Sequence, residues 1–216
     1  AGTAIEAMRR GKDVLTDKPG CTSFEQLAAL RDAVSETGRI WSIDFSEHFE
    51  VPATVKAVDL VRQGAIGRVL QTVGLGPHRL NASLRPDWFF DKAQFGGILC
   101  DIASHQIHQF LIFTNSETAD VTAASARNLA HPQWPLFQDF GEVLLRNEHS
   151  HGYFRVDWFT PDGLPTWGDG RLTILGTEGY IELRKYVDVC GRPGTDHLFL
   201  VNGSRAEYVD CSQVPL

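Results

Sequence analysis

From Val121 onward the chain reads as a series of short extended segments with little but turns between them. They are Val121 to Ala126, Phe140 to Arg146, Gly152 to Phe159, Arg171 to Gly176, Tyr180 to Arg184, His197 to Val201 and Glu207 to Cys211. Asn147 to Ser150, Thr177-Glu178-Gly179 and Asn202-Gly203-Ser204 supply turn chemistry. Consecutive strands joined by short turns pair antiparallel, because a parallel partner needs a long crossover. The result is a large, mostly antiparallel open sheet. Val143, Leu145, Phe154, Val156 and Trp158 form an apolar row suited to packing on helices. Aromatic residues on the opposite face favour a homo-oligomer built through the open sheet.

The first residues follow another plan. Gly2 to Arg10 reads as the end of a helix, and GKDVLTDKPG as a short strand running into a Pro-Gly loop. Ser23 is placed to N-cap a helix carrying Phe24, Leu27, Leu30, Ala33 and Val34, Gly38 to close it, and Arg39 to Phe45 to form the next strand. A strand–helix–strand unit belongs in a parallel sheet, where ligands sit beyond the carboxyl ends of the strands. Asp17, Lys18 and Pro19 occupy such an end. Ala1 leads directly into helical sequence with no capping residue, so the chain is expected to be a fragment that starts mid-fold. A second region starts near Glu47, with a helix over Thr54 to Gln63 and a strand from Arg68. Then come an aromatic, charged loop (Leu84 to Phe95), Gly96-Gly97 and an apolar helix to about Phe113. The expected organisation is an α/β remnant over 1–46 and an α+β domain over 47–216.

A formal net charge of −7, with no local run of Lys or Arg, argues against a nucleic-acid partner. No stretch reaches the ~20 apolar residues that span a bilayer, and the start lacks a signal peptide's apolar region, so no membrane partner is expected. Cys21, Cys100, Cys190 and Cys211 are widely spaced without a CxxC pair, which fits reduced thiols in a cytoplasm. Cys100 is read as small buried packing rather than as a nucleophile.

GGILCDIASHQIHQF carries the most chemistry. Asp101, His105 and His108 are four and three residues apart, so on one continuous helix they share a face, while Ile102, Ile107, Phe110 and Leu111 cover the rest. Three readings stand side by side. The histidines are satisfied by backbone carbonyls and Asp101 by an arginine; or the three side chains converge on a metal ion; or an imidazole does general acid/base work beside a carboxylate. Lys18 adds weight to the third, since an ammonium in a proline-stiffened loop stabilises a developing alkoxide; alone it reads as an exposed loop lysine.

These residues resemble a known family. TDKPG after a strand resembles the EKP motif of the glucose-fructose oxidoreductase/inositol dehydrogenase (Gfo/Idh/MocA) family, and GGILCDIASH its GG-xxx-D-xxx-H helix. GAIGRVLQT and LTILGTEGYIEL resemble two further family segments, in the same order. The resemblance implies the C-terminal part of a Rossmann domain followed by a substrate domain that often mediates oligomerisation. It implies an NAD(P)-dependent dehydrogenase acting on a sugar, cyclitol or related polyol. Lys18 matches the motif lysine that polarises the reacting oxygen, Asp101 the aspartate that holds substrate hydroxyls, and His105 the histidine that takes the hydroxyl proton. Asp17, Lys18 and Pro19 are implied on the cofactor side, with Asp17 in place of the usual Glu. His108 stands where relatives carry Asp or Asn and is carried over only as a substrate or supporting contact.

Arg79, Arg85 and Trp88, in or near the loop before the helix, are candidates to line a substrate pocket, although Trp88, Phe89 and Phe90 serve equally as core anchors. Trp167 and Asp169 are weaker candidates, and His131, His149, His151 and His197 read as surface or strand residues. No Gly-x-Gly-x-x-Gly turn occurs in the sequence, so NAD or NADP is expected to bind this chain weakly or not at all. Two further readings remain open: a metal-dependent sugar isomerase or hydrolase using Asp101, His105 and His108, and a non-catalytic ligand-binding or oligomerisation module.

Overall fold

A computed structural model describes residues 1–188 and 190–216. The chain opens with α1 (Gly2–Arg9), β1 (Val14–Asp17), α2 (Phe24–Thr37) and β2 (Trp41–Asp44). β1 and β2 pair in parallel from Val14–Trp41 to Asp17–Asp44, and α1 and α2 pack together through Ala4, Met8, Leu30 and Ala33. The local chemistry of α2 is as the sequence predicts. Ser23 accepts the Gln26 amide at 3.2 Å, and Gly38 ends the helix in the left-handed region with φ 63°.

Next come α3 (Ser46–Phe49), α4 (Pro52–Arg62), β3 (Val69–Pro77), two short 3-10 turns (Ala82–Leu84 and Asp87–Phe90), α5 (Lys92–Phe95), α6 (Ile98–Asp101) and α7 (Ala103–Thr114). The remaining elements are strands: β4 (Asp120–Arg127), β5 (Phe140–Arg146), β6 (His151–Asp157), β7 (Arg171–Gly176), β8 (Gly179–Arg184), β9 (His197–Asn202) and β10 (Ala206–Asp210). Seven strands were expected after Ala119 and these seven are found, within one or two residues at each end.

With β3 they form one eight-stranded sheet of order β10-β9-β8-β7-β3-β6-β5-β4. Neighbours pair antiparallel except β3 and β6, which run parallel from Gln71–His151 to Pro77–Asp157. Chain order and spatial order therefore part at one point. β6 and β7 are joined by a loop long enough to let β3 enter between them, a position that short-turn logic does not reveal.

Val143, Leu145, Phe154, Val156 and Trp158 are all buried on the helix-covered face, as the alternation demands. They form one core with α6, α7 and the Phe89–Phe95–Phe137 aromatics, while α4 covers a second core under β7, β8 and β9. The opposite face leaves Leu144, Phe159, Leu175, Tyr180 and Tyr208 exposed. The predicted helix from Gly97 to Phe113 is interrupted: α6 stops at Asp101 and α7 restarts at Ala103. No helix among the described residues is long and apolar enough to cross a membrane.

Candidate active site

β1 delivers Lys18 to the edge of the large domain, where its Nζ donates to Asp101 Oδ1 at 2.7 Å across 83 residues of chain. Neither side chain is more than a fifth exposed. The two motifs are thus brought together at the junction of the small α/β unit and α6. An ammonium has three N–H donors, so this contact leaves others for a ligand oxygen.

One turn further, His105 is buried in α7 and its Nδ1 has no hydrogen-bond partner. Burial pushes the imidazole down to about 4; the Glu47 carboxylate opposes this, and the positive charges of Lys18 and Lys185 reinforce it. His105 is therefore neutral near pH 7 and able to accept a proton.

His78, directly after β3, was not singled out in the sequence. Its Nδ1 lies 3.1 Å from the Gly76 carbonyl oxygen, so that nitrogen carries the proton and donates, and Nε2 is left as an acceptor. The ring meets Trp158 edge-on at 5.3 Å and Trp167 at 4.4 Å. Burial lowers its pKa against the pull of Glu47, and it also feels the charges of Lys18 and Asp101, which places it beside the same cluster. Its position just beyond the carboxyl end of a strand is the signal that could have found it. Trp167, a weaker candidate in the sequence, walls this side and also touches Tyr186 at 4.8 Å.

Behind the cluster lies a second polar group that the sequence did not reveal. Lys185 Nζ, fully buried, donates to Glu47 Oε2 at 2.7 Å and to Gln109 Oε1 at 2.8 Å. Glu47 Oε2 also accepts from Gln106 at 3.0 Å and Gln109 at 3.2 Å. Burial alone would raise the Glu47 carboxyl, but the Lys185 ammonium overrides it, aided by His105, and holds it down to about 2.

His108 points elsewhere. Its Nε2 is 2.9 Å from His48 Nδ1, and its ring stacks on Phe45 at 4.3 Å. Burial and the neighbouring imidazoles push it down to about 4. With Asp101 held by an ammonium and His108 by a second imidazole, the three residues do not converge on one ion. Among the described residues no cluster of three or more His, Cys, Asp or Glu side chains is arranged to hold a metal.

Arg79 Nη2 donates to the carbonyls of Pro161 and Leu164 and so pins the 161–164 loop. Arg85 donates to the Leu80 carbonyl at 3.1 Å and lies over the rings of Phe89 at 4.5 Å and Trp158 at 5.1 Å. Trp88 is half exposed, edge-on to Phe89. Asp17 is exposed at the end of β1. Pro19 borders an apolar groove of about 610 Å³ together with Phe24, Leu27, Trp41, Ile43 and Cys100. Burial raises the Cys100 thiol above its ordinary pKa, and its Sγ donates to the Cys21 carbonyl at 3.4 Å, so it packs as expected. His197 is the first residue of β9, a strand residue as expected, and is fully buried 2.9 Å from the Tyr208 hydroxyl.

Residues 54–182 match the family model described as the GFO/IDH/MocA C-terminal domain. The chain belongs to the GFO/IDH/MocA family. It is 28% identical over 181 residues to scyllo-inositol 2-dehydrogenase (NAD(+)) of Bacillus subtilis, covering 82% of this chain and 49% of that protein. A crystal structure of a candidate oxidoreductase from Erwinia carotovora atroseptica superimposes with a TM-score of 0.93 at 51% identity, over 96% of this chain and 62% of that one. Levoglucosan dehydrogenase in complex with NADH and levoglucosan shares the fold, with a TM-score of 0.79 at 23% identity over 97% and 57%. The chain thus spans about half the length of the inositol dehydrogenase. Its open, mostly antiparallel sheet with helices on one face is the fold of the family's C-terminal domain.

Proposed function

We propose that this chain is the substrate-side half of an NAD-dependent dehydrogenase of the GFO/IDH/MocA family, acting on a hydroxyl of a cyclitol, sugar or related polyol. The observation that carries the reading is the 2.7 Å contact between Lys18 and Asp101 beside an uncharged, buried His105. Lys18 binds and polarises the reacting oxygen. Asp101 holds the ammonium in place and accepts from a neighbouring hydroxyl. His105 takes the hydroxyl proton, and Nε2 of His78 accepts from another hydroxyl, with Trp167 as an apolar wall. A nicotinamide coenzyme supplies the hydride acceptor in this chemistry.

The residues present supply only one side of a dinucleotide site. A pyrophosphate needs a glycine-rich turn at a helix N-terminus. Gly74 and Gly76 cannot serve, because they lie in β3 where a Cβ would meet Gln106 and Ile102. Asp17, Lys18 and Pro19 flank the nicotinamide side, and the division falls at 46/47, between a nucleotide-binding unit and a substrate domain. The exposed aromatic face of the large sheet supports a homo-oligomer, and the free cysteines fit a cytoplasmic setting. Light scattering that finds only monomer at micromolar concentration removes the oligomer.

The test of function uses an enzyme in which a complete nucleotide-binding unit precedes this chain. NADH formation is followed against a panel of cyclitols and sugars, for wild type, Lys18→Ala and His105→Ala. Turnover on at least one polyol, lost by about 10² to 10⁴ in both variants, supports the reading. No turnover on any polyol, or wild-type rates in either variant, overturns it.

A further inference from the structure

Behind the Lys18–Asp101 pair lies the buried polar group already described. Glu47 lies on α3, immediately after the small parallel unit that carries Lys18; Gln106 and Gln109 lie on α7; Lys185 follows β8. Four hydrogen bonds of 2.7 to 3.2 Å join the three elements. A fifth, within α7, runs from Gln109 Nε2 to the backbone carbonyl of His105 one turn earlier, at 3.1 Å. Burying an ion pair stabilises a fold no better than apolar side chains of the same volume, and often less well. A fully enclosed Lys–Glu pair tied to the backbone of the proton acceptor is therefore placed where orientation matters more than stability. Its neighbours are fitted to it as well: β3 carries Gly74 and Gly76, which leave room for the Gln106 side chain.

We propose that the Glu47–Lys185 pair is a positioning device for His105, acting through Gln109 to fix the first turns of α7 against both β8 and the unit that carries Lys18. The proposal rests on the dehydrogenase reading above but concerns residues that touch neither substrate nor coenzyme. The Glu47 carboxylate favours the imidazolium that forms when His105 takes a proton, an effect that the Lys185 charge partly offsets while it keeps that carboxylate ionised despite its burial.

Two variants separate positioning from folding. Glu47→Gln combined with Lys185→Met replaces the pair by neutral side chains of similar length, and Gln109→Met keeps the Lys185–Glu47 contact but removes the bonds of Gln109 to both partners and to the His105 carbonyl. In the longer enzyme both are expected to melt within a few degrees of wild type, to keep KM for the polyol within about twofold, and to lose kcat about tenfold or more. In this chain, the ring resonances of His105 are expected to move in both variants, while those of His131 and His197, held by Asp139 and Tyr208, stay in place. Wild-type kcat in both variants, or an unmoved His105 resonance in both, overturns the proposal. If the wild-type enzyme oxidises no polyol, the dehydrogenase reading fails, and the resonance measurement still decides whether the pair positions His105.

Discussion

Lys18–Asp101 and Lys185–Glu47 are both lysine–carboxylate pairs with an N–O distance of 2.7 Å, yet they are set in opposite surroundings. The first joins two parts of the chain at a junction where each side chain keeps some solvent contact. The second is enclosed, with 0% and 3% of its side chains exposed, and is hydrogen-bonded to Gln106 and Gln109. Equal geometry does not mean equal work. An ammonium with some solvent contact is free to exchange a carboxylate for another oxygen ligand, whereas an enclosed one has nothing to exchange with. The difference is sharpest when one partner is removed. Lys185→Ala strands a carboxylate in the core and is expected to destabilise the fold by about 3 to 5 kcal/mol, measured by urea unfolding. Loss of less than about 1 kcal/mol would mean that water reaches Glu47 and that the two pairs are alike.

The converse holds for the Lys18–Asp101 pair. Lys18→Ala is expected to cost about 1 kcal/mol or less in the same unfolding experiment, since a partly solvated pair contributes little. In the longer enzyme it should nonetheless lower kcat by about 10² to 10⁴. A Lys18 variant that unfolds as readily as the Lys185 variant would erase the contrast.

How much of this was legible in the sequence follows the same division. The Lys18–Asp101 pair could be read because motif residues sit at element ends: Lys18 after a strand, and Asp101 and His105 in an apolar helix that has little other use for charge. The enclosed pair could not be read. Glu47 and Lys185 are 138 residues apart, in short segments with no periodic signature, and only the tertiary fold makes either one buried. The open sheet was legible in its strands and in its buried row from Val143 to Trp158, because alternation and turn chemistry are local. The insertion of β3 between β6 and β7 was not, since pairing order depends on where the long loops run. His108 shows the limit of spacing alone, since its partners His48 and Phe45 come from a segment about 60 residues earlier that only the tertiary fold brings alongside.

Acid should affect the two regions in sequence. His105, His108, His48 and His78 all have folded-state pKa values below that of an unfolded histidine, mainly because burial disfavours the charged ring. The unfolded chain then binds more protons than the folded one, so stability is full above about pH 6.5 and falls as the pH drops toward 4. His105 alone accounts for up to about 3 kcal/mol of that loss. The Glu47 carboxyl is depressed to about 2, so its contribution persists through this window and fades only below the ordinary carboxylate range. Unfolding free energy measured from pH 8 to 4 should decline, and His105→Gln should flatten the slope. A slope unchanged by that substitution would show that His105 is already solvated and not held neutral by burial.

The smallest effect tests how closely the enclosed network is fitted. Gly74 lies in β3 directly beneath α7, and a Cβ there would collide with Gln106 Oε1. That oxygen is buried without a partner, so it has no hydrogen bond to lose, but the amide nitrogen on the same side chain donates to Glu47 at 3.0 Å. Gly74→Ala therefore forces Gln106 aside and weakens one of the bonds that hold the Glu47 carboxylate, at about 1 to 3 kcal/mol for overpacking in a tight core. Gly74 has no left-handed φ, so an alanine at this position meets no backbone strain, and any loss belongs to the contact with Gln106. Adding Gln106→Ala to Gly74→Ala should recover part of the stability, because the second change removes the obstacle created by the first. If the two changes simply add, Gly74 and Gln106 do not compete for the same space, and the close seating of α7 on β3 must have another cause.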